Sequence, residues 1–129
     1  MVVLTGRVVT GVGNFSYWIE RLREHYRRKT GMSLFPGTLN VLLEEEYSVP
    51  PDSLRLEGEE YGGTVNVYIV PCRIFDERAV ILRPYAAEHG EDPNDRNVVE
   101  VACEVKLRDK YNLRDGDVVR VEVLTYQAE

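Results

Sequence analysis

The chain has 129 residues, a length typical of one domain, and 43% of them are hydrophobic, which is enough to bury a core. Charged residues make up 29% of the chain, and the net charge is −6. Proteins that bind nucleic acids usually present a basic surface, so this balance argues against a nucleic-acid partner. From the length, we expect a single domain spanning residues 1–129.

The two cysteines, Cys72 and Cys103, lie far apart in strand-like segments. Their spacing does not match the paired cysteines of a zinc site, and buried reduced thiols in a cytoplasmic protein explain them better. The N-terminal stretch MVVLTGRVVTG is too short and too polar for a signal peptide or a membrane-spanning helix. No membrane partner is expected.

The N-terminal third predicts a strand followed by a helix. Residues 2–10 are rich in β-branched side chains, and glycines interrupt that pattern at residues 11–14. Apolar side chains then recur at helical spacing across residues 15–30, and Gly31 is a typical helix stop. The predicted helix is amphipathic, with a basic outer face between residues 21 and 29.

The remainder of the chain is mostly strand-like. Further strands are predicted at residues 39–43, 64–74, 79–83, 98–104 and 118–124, with loops or edges at 46–58 and 89–97 and a helical turn at 106–111. Only one helix is long enough for a crossover, so a doubly wound parallel sheet is not expected. The pattern favours a mainly β fold, a small closed six-stranded β-barrel with one packed α-helix.

The glycine-rich stretch between the first strand and the helix is the first candidate site. Gly11 and Gly13 allow close backbone approach, and the start of the following helix offers N–H groups to an anion. The stretch is not a dinucleotide fingerprint, because Ser16 stands where the third glycine belongs. Two readings stay open, a phosphate-binding loop and a tight turn into a helix.

The second candidate site is the stretch PGTLN at residues 36–40. Alternate side chains share a face of a strand, so Thr38 and Asn40 should point together, away from the core. A hydroxyl and an amide oxygen are hard ligands that suit a Mg²⁺ ion also held by nucleotide phosphates. The alternative is a solvent-facing pair on an edge strand.

Two further segments carry chemically useful groups. Glu100 lies inside an apolar strand, where it could bind a polar ligand or take a proton from a hydroxyl, or simply face outward. The segment 105–108 begins the predicted helical turn, and its backbone and Arg108 could contact a base or a phosphate. A solvated helix face is the alternative there.

Three stretches together resemble the CTP-dependent riboflavin kinases of archaea. They are GRVVTGVGNFSYW, FPGTLNVLL and VVEVACEVKLRDKYNLRDGDVVRVEV, they occur in the order seen in that family, and they cover most of the chain. The resemblance implies a small six-stranded barrel related to the cradle-loop barrels. It also implies transfer of the γ-phosphoryl group of CTP to the 5′-hydroxyl of riboflavin, which yields FMN and CDP.

The resemblance also implies a role for individual residues. Nucleotide binding is implied for Gly11, Val12, Gly13, Asn14, Phe15, Ser16, Val105, Lys106, Leu107 and Arg108, Mg²⁺ binding for Thr38 and Asn40, and flavin binding for Ala87 and Glu100. Among these, Glu100 is the candidate catalytic carboxylate beside the acceptor hydroxyl.

The chain departs from the family pattern at several places, two of which fall on implied binding residues. Asn14 and Phe15 replace the Glu-Gly of the family's glycine loop, and Ala87 stands where the family has a threonine that binds flavin. These changes leave an alternative function, a non-catalytic barrel that binds a nucleotide or a flavin. A barrel that binds nucleic acid or protein through its basic helix is a third and weaker alternative, and the oligomeric state is left open.

Overall fold

The computed structural model describes residues 2–11, 15–88 and 97–124. The strands in these ranges are β1 (Val2–Val9), β2 (Leu39–Leu43), β3 (Leu54–Leu56), β4 (Val67–Ile74), β5 (Glu77–Pro84), β6 (Val98–Cys103) and β7 (Val118–Val123). The helices are α1 (Phe15–Arg21), α2 (Arg23–Thr30), α3 (Tyr85–Glu88) and α4 (Leu107–Lys110), and a 3₁₀ turn covers Gly58–Tyr61.

Six of the strands form a closed antiparallel barrel. Their order is β4-β5-β6-β2-β1-β7, and β7 pairs again with β4 from Cys72↔Val123 to Ile74↔Val121, which closes the sheet. The short strand β3 is added to the other end of β4, at Leu56↔Val67 and Leu54↔Ile69. The predicted six-stranded closed barrel is thus confirmed, with β3 as an extra strand in the segment expected to be a loop or an edge.

The barrel interior is filled by alternate residues of its strands. In β2, Leu39, Val41 and Leu43 are buried inside the barrel, whereas Asn40 on the opposite face is only partly buried. This is the two-residue alternation that the sequence predicts. Each fully buried aliphatic side chain of this kind contributes about 1.5–3 kcal/mol of transfer free energy.

The predicted single helix is wrong in one respect, because two helices meet at Leu22. Its backbone adopts φ −106° and ψ 27°, away from helical values, although Leu22 N still donates to Trp18 O at 2.8 Å. Neither glycine nor proline marks this bend, so the sequence gives no local signal for it. Gly31 ends α2 in the left-handed conformation, φ 74°, as expected for a helix stop.

The two helices cover the outer face of the barrel and create a second core. Its buried members are Phe15, Ile19, Leu22, Tyr26, Met32, Leu34, Leu56, Val67, Ile69, Val80, Leu82 and Ala102. Strands β4 and β5 are therefore buried on both faces along much of their length. The short apolar run predicted at residues 79–83 agrees with this, because an alternating pattern needs one solvated face. The alternation expected across residues 64–74 is not seen at the start of β4, where four successive residues are buried.

Both cysteines are buried free thiols, as expected. Burial raises the pKa of the Cys72 thiol to about 12, which keeps it protonated at neutral pH. Within the described ranges, no helix has the length and apolar character needed to cross a membrane.

Candidate functional site

Three polar residues meet on the outer face of the barrel, where β2 lies beside β6. Thr38 Oγ1 donates a hydrogen bond of 2.7 Å to Glu100 Oε1. Asn40 lies directly opposite Glu100 in the antiparallel register of β2 and β6. The strand alternation that sends Leu39 and Val41 into the barrel thus places Thr38, Asn40 and Glu100 together outside it.

The end of strand β1 lies beside Asn40, on the side away from β6. Asn40 is also paired with Val9, and the chain continues from there to Gly11. A Cβ atom added to Gly11 would come within 3.0 Å of Cγ, Nδ2 and Oδ1 of Asn40, a separation that real Cβ atoms essentially never show. Gly11 is needed here for close approach, since its φ is not in the left-handed region.

An apolar cavity of about 440 Å³ opens beside Glu100, between the helices and the barrel. Its lining residues are Phe15, Trp18, Leu22, Tyr26, Leu56, Tyr61, Val65, Val67, Pro84 and Glu100. Aromatic rings form much of the wall, with Trp18 and Tyr61 tilted against each other at a centroid distance of 6.3 Å. Glu100 is the one charged residue of this lining, so the cavity presents an apolar body with one polar end.

A small cleft of about 30 Å³ lies next to Thr38, between the PGTLN stretch and the segment 105–108. Its lining residues are Phe35, Gly37, Thr38, Leu39, Val101, Cys103, Val105, Lys106, Leu107 and Arg108. Thr38 belongs to the cleft and Glu100 to the cavity. Their hydrogen bond therefore joins the two concave sites.

Hydrogen bonds from the residues just before the PGTLN stretch attach it to the end of β6. Phe35 N donates to Cys103 O at 2.7 Å, and Ser33 N donates to Glu104 Oε2 at 3.0 Å. The thiol of Cys103, the last residue of β6, contacts Val105 O at 3.3 Å. The two walls of the cleft are consequently tied to the same strand end.

Arg108 connects the cleft to the end of β1. Its Nη2 donates to Val9 O at 3.2 Å and forms an ion pair of 2.6 Å with Asp115 Oδ1. Asp115 Oδ2 accepts a second hydrogen bond from Thr10 Oγ1 at 2.6 Å. The Thr10 hydroxyl and the Arg108 guanidinium together lower the pKa of the Asp115 carboxyl, which is therefore ionised at neutral pH.

The family model of the CTP-dependent riboflavin kinase domain, described as domain of unknown function DUF120, matches residues 8–123. The chain belongs to this family. The match covers the end of β1 and all the residues that line the cavity and the cleft.

Several curated relatives bear the name riboflavin kinase. The one from Pyrobaculum aerophilum is 34% identical over 94% of this chain and 60% of its own length, and the one from Methanocella arvoryzae is 34% identical over 92% and 56%. The relative from Methanobrevibacter smithii is 33% identical over 92% of this chain and 98% of its own length. The chain thus spans somewhat more than half of the first two relatives and nearly all of the third.

Apart from Phe15 and Ser16, the residues implied by the family resemblance fall into two groups in the structure. Gly11, Thr38, Asn40 and Glu100, together with the segment 105–108, surround the junction of cavity and cleft. Val12, Gly13 and Asn14 lie outside the described residues, as does the side chain of Ala87, whose backbone is in α3.

Two members of the implied nucleotide set have distinctive positions. Phe15 is buried and points into the apolar cavity, so its ring belongs to the cavity wall. Leu107 is buried against the barrel core, which leaves its backbone as the part that a ligand in the cleft could contact. Ser16 is exposed on α1.

The structure adds participants that the sequence did not single out. Trp18 and Tyr61 line the cavity, and Thr10 and Asp115 connect β1 with Arg108. Trp18 lies within the predicted helix at residues 15–30, and no local pattern marks Tyr61 or Asp115 as part of a site. Only the fold shows that these residues surround one site.

The donor set at the junction fits Mg²⁺ held jointly with a nucleotide. Within residues 2–11, 15–88 and 97–124, no group of three His, Cys, Asp or Glu side chains is arranged to hold a metal. Thr38 and Asn40 offer neutral oxygen atoms, and Glu100 accepts the hydrogen bond that the Thr38 hydroxyl donates, which leaves the lone pairs of that hydroxyl as acceptors. Two neutral ligands of this kind need phosphate oxygens to complete a magnesium site.

Proposed function

We propose that this protein is a Mg²⁺-dependent kinase that transfers the γ-phosphoryl group of CTP to the 5′-hydroxyl of riboflavin. The Thr38–Glu100 hydrogen bond carries the proposal, because it joins a cavity suited to the acceptor with a small cleft whose wall includes Lys106 and Arg108 of the segment implied to bind the nucleotide. The family's name and the relatives named riboflavin kinase support the choice of substrates.

The apolar cavity is the proposed acceptor site. Its volume of about 440 Å³ lies in the usual range for small-molecule pockets, and its aromatic wall suits a flat ring system such as a flavin. With the rings inside, the polar ribityl chain extends toward the one charged group of the lining, Glu100. This orientation brings the terminal hydroxyl to the carboxylate.

The cleft is the proposed donor site. Lys106 and Arg108 supply positive charge along one wall, and the glycine loop begins at the other side of Asn40. Thr38 and Asn40 are the residues that would hold Mg²⁺, and the ion, when bound, would neutralise charge on the phosphate oxygens. The protein groups themselves hold and orient the polyphosphate next to Glu100.

The transfer requires one bond to form and one to break. The riboflavin 5′-oxygen bonds to the γ-phosphorus, the bond from that phosphorus to the bridging oxygen breaks, and CDP leaves. The hydroxyl proton passes to Glu100, whose Oε1 is held in place by Thr38. Since phosphoryl transfer depends mainly on positioning and charge stabilisation, this small set of groups is sufficient.

The direct test incubates the purified protein with riboflavin, Mg²⁺ and either CTP or ATP, and measures FMN by chromatography. We expect FMN with CTP, and we expect Glu100→Gln to lower kcat by about 10²–10⁴-fold, the usual contribution of a positioned base. Glu44→Gln is the matched control, because Glu44 is exposed after β2 and lies outside the cavity and the cleft. It should leave the rate unchanged.

The alternative of a non-catalytic binding barrel has a distinct signature. Riboflavin or CTP would raise the melting temperature, because a ligand that binds only the native state stabilises it, yet no FMN would form with either nucleotide. That outcome would refute the kinase proposal. If neither Glu100→Gln nor Thr38→Ala lowered the rate of FMN formation, the assigned mechanism would be refuted.

A further inference from the structure

One carboxylate connects the two segments proposed to bind the nucleotide. Asp115 Oδ2 accepts the hydrogen bond from Thr10 Oγ1, next to Gly11 and the glycine loop, at 2.6 Å. Asp115 Oδ1 accepts a hydrogen bond from Arg108 Nη2, in the segment 105–108, also at 2.6 Å. Each oxygen thus contacts a different segment, Oδ2 the residue before Gly11 and Oδ1 the segment 105–108.

The turn that carries Asp115 is itself firmly attached to the barrel. Gly116 N donates to Val8 O at 2.8 Å, and Val8 N donates to Asp117 O at 2.9 Å. Within the turn, Arg114 N donates to Asp117 Oδ2 at 2.8 Å, and Gly116 adopts φ 95°, which favours glycine. The carboxylate therefore projects from a rigid support.

Arg108 depends on this support for its orientation. Its Nη2 makes two described contacts, to Asp115 and to Val9 O, and both lie on the side of β1. The Nη1 and Nε donors of the planar guanidinium take no part in these contacts. Because the group is planar, the two contacts of Nη2 also set the direction of Nη1 and Nε. A phosphate in the donor site would meet donors that are already oriented.

We propose that Asp115 is a positioning residue that sets the spacing between Thr10, just after β1, and Arg108 for nucleotide binding. The inference rests on the proposed function, because it concerns the donor site of the kinase. Asp115 touches neither substrate in this scheme and acts through Thr10 and Arg108.

A simple charge effect would have the opposite sign. Nucleotide phosphates are negative, so removing the charge of Asp115 would tighten nucleotide binding if Coulomb repulsion were its main influence. Loss of positioning would weaken binding instead, since Arg108 would lose its ion pair and Thr10 one of its partners. The sign of the change therefore separates the two explanations.

The experiment compares Asp115→Asn with the wild-type enzyme. We expect the CDP–Mg²⁺ dissociation constant, measured by calorimetry, and the KM for CTP to rise about tenfold, the usual scale for one charge-assisted hydrogen bond. The KM for riboflavin should stay unchanged, which a general loss of structure would not allow. Asp52→Asn is the matched control, because it removes the same charge from an exposed turn before β3.

Thr10→Val supplies a second variant that leaves the Asp115 charge in place. It removes only one of the two links, so it should raise the CDP dissociation constant less than Asp115→Asn does. The two changes should also be non-additive, because both act on one contact. Additive effects would contradict a shared role.

Unchanged or tighter CDP binding by Asp115→Asn would overturn the inference, as would an equal rise in the KM for riboflavin. A wild-type protein that binds CDP but makes no FMN would refute the kinase proposal, while the CDP affinities would still decide the role of Asp115. A wild-type protein that binds no CDP would overturn both.

Discussion

Replacing Gly11 with alanine tests the close approach between the end of β1 and Asn40. The new methyl group would lie within 3.0 Å of three side-chain atoms of Asn40, whereas ordinary contact is 3.4–4 Å. Asn40 must therefore move by about 1 Å or rotate away, and a misplacement of that size near reacting groups can cost about 100-fold in rate. We expect kcat for FMN formation to fall by about that factor.

The same change should cost little stability. The φ of Gly11 lies outside the left-handed region, so alanine is tolerated by the backbone, and the atoms in conflict belong to a side chain that can rotate. The urea midpoint should therefore shift only slightly, while the rate falls sharply. A large loss of stability would mean that the backbone, and not Asn40, absorbs the conflict.

A double-mutant cycle identifies the route of the effect. In an Asn40→Ala background the added methyl group meets no amide, so Gly11→Ala should cause almost no further loss of rate. Independent, multiplicative losses in the double variant would refute the reasoning, because they would show that Gly11 acts on the nucleotide without Asn40.

Trp18→Ala should raise the KM for riboflavin about tenfold and leave the KM for CTP unchanged, because Trp18 lines only the cavity. The chain has one tryptophan, so quenching of its fluorescence by riboflavin in the wild-type protein checks the contact directly. Ile81→Ala, at a fully buried barrel position, should lower the free energy of unfolding by about 2–5 kcal/mol in urea titrations, whereas Leu42→Ala, 42% exposed, should change it by less than about 0.5 kcal/mol. Lys110 and a tyrosine hydroxyl lower the pKa of Glu77 in the folded protein. The ionised Glu77 therefore stabilises the fold fully above the pKa that Glu77 has in the unfolded chain, and this stabilisation is lost as the pH falls through its pKa in the folded protein. The difference in urea midpoint between wild type and Glu77→Gln should therefore shrink below about pH 4, and a pH-independent difference would contradict this.

Local patterns in the sequence predicted the features that depend on near neighbours. The two-residue alternation around Leu39 and Val41 placed Thr38 and Asn40 correctly on the outer face, because strand geometry alone determines it. Gly31 likewise marked the end of the helix through its backbone preference. The six-stranded barrel followed from the number of short strands and from the family resemblance.

Features that depend on distant parts of the chain could not be predicted in this way. The bend at Leu22 carries no glycine or proline, and the aromatic cavity combines α1 with residues near Tyr61 that look like separate core positions. One partner of Asp115, Thr10, lies 105 positions away and is brought to it only by the pairing of β1 with β7, whereas the other, Arg108, is seven positions away in sequence.

That pairing gives the barrel a seam made from opposite ends of the described chain. β1 pairs with β7 from Val2↔Val123 to Arg7↔Val118, and the bond between Thr10 and Asp115 crosses 105 positions of sequence. Contacts of such long range form late in folding, because other contacts must first offset the entropic cost of closing a long loop. Arg108 of the proposed donor site contacts Val9 and Asp115 at the end of this seam. A nucleotide bound there would therefore stabilise the closed barrel and protect the amides of β1 and β7 from hydrogen exchange.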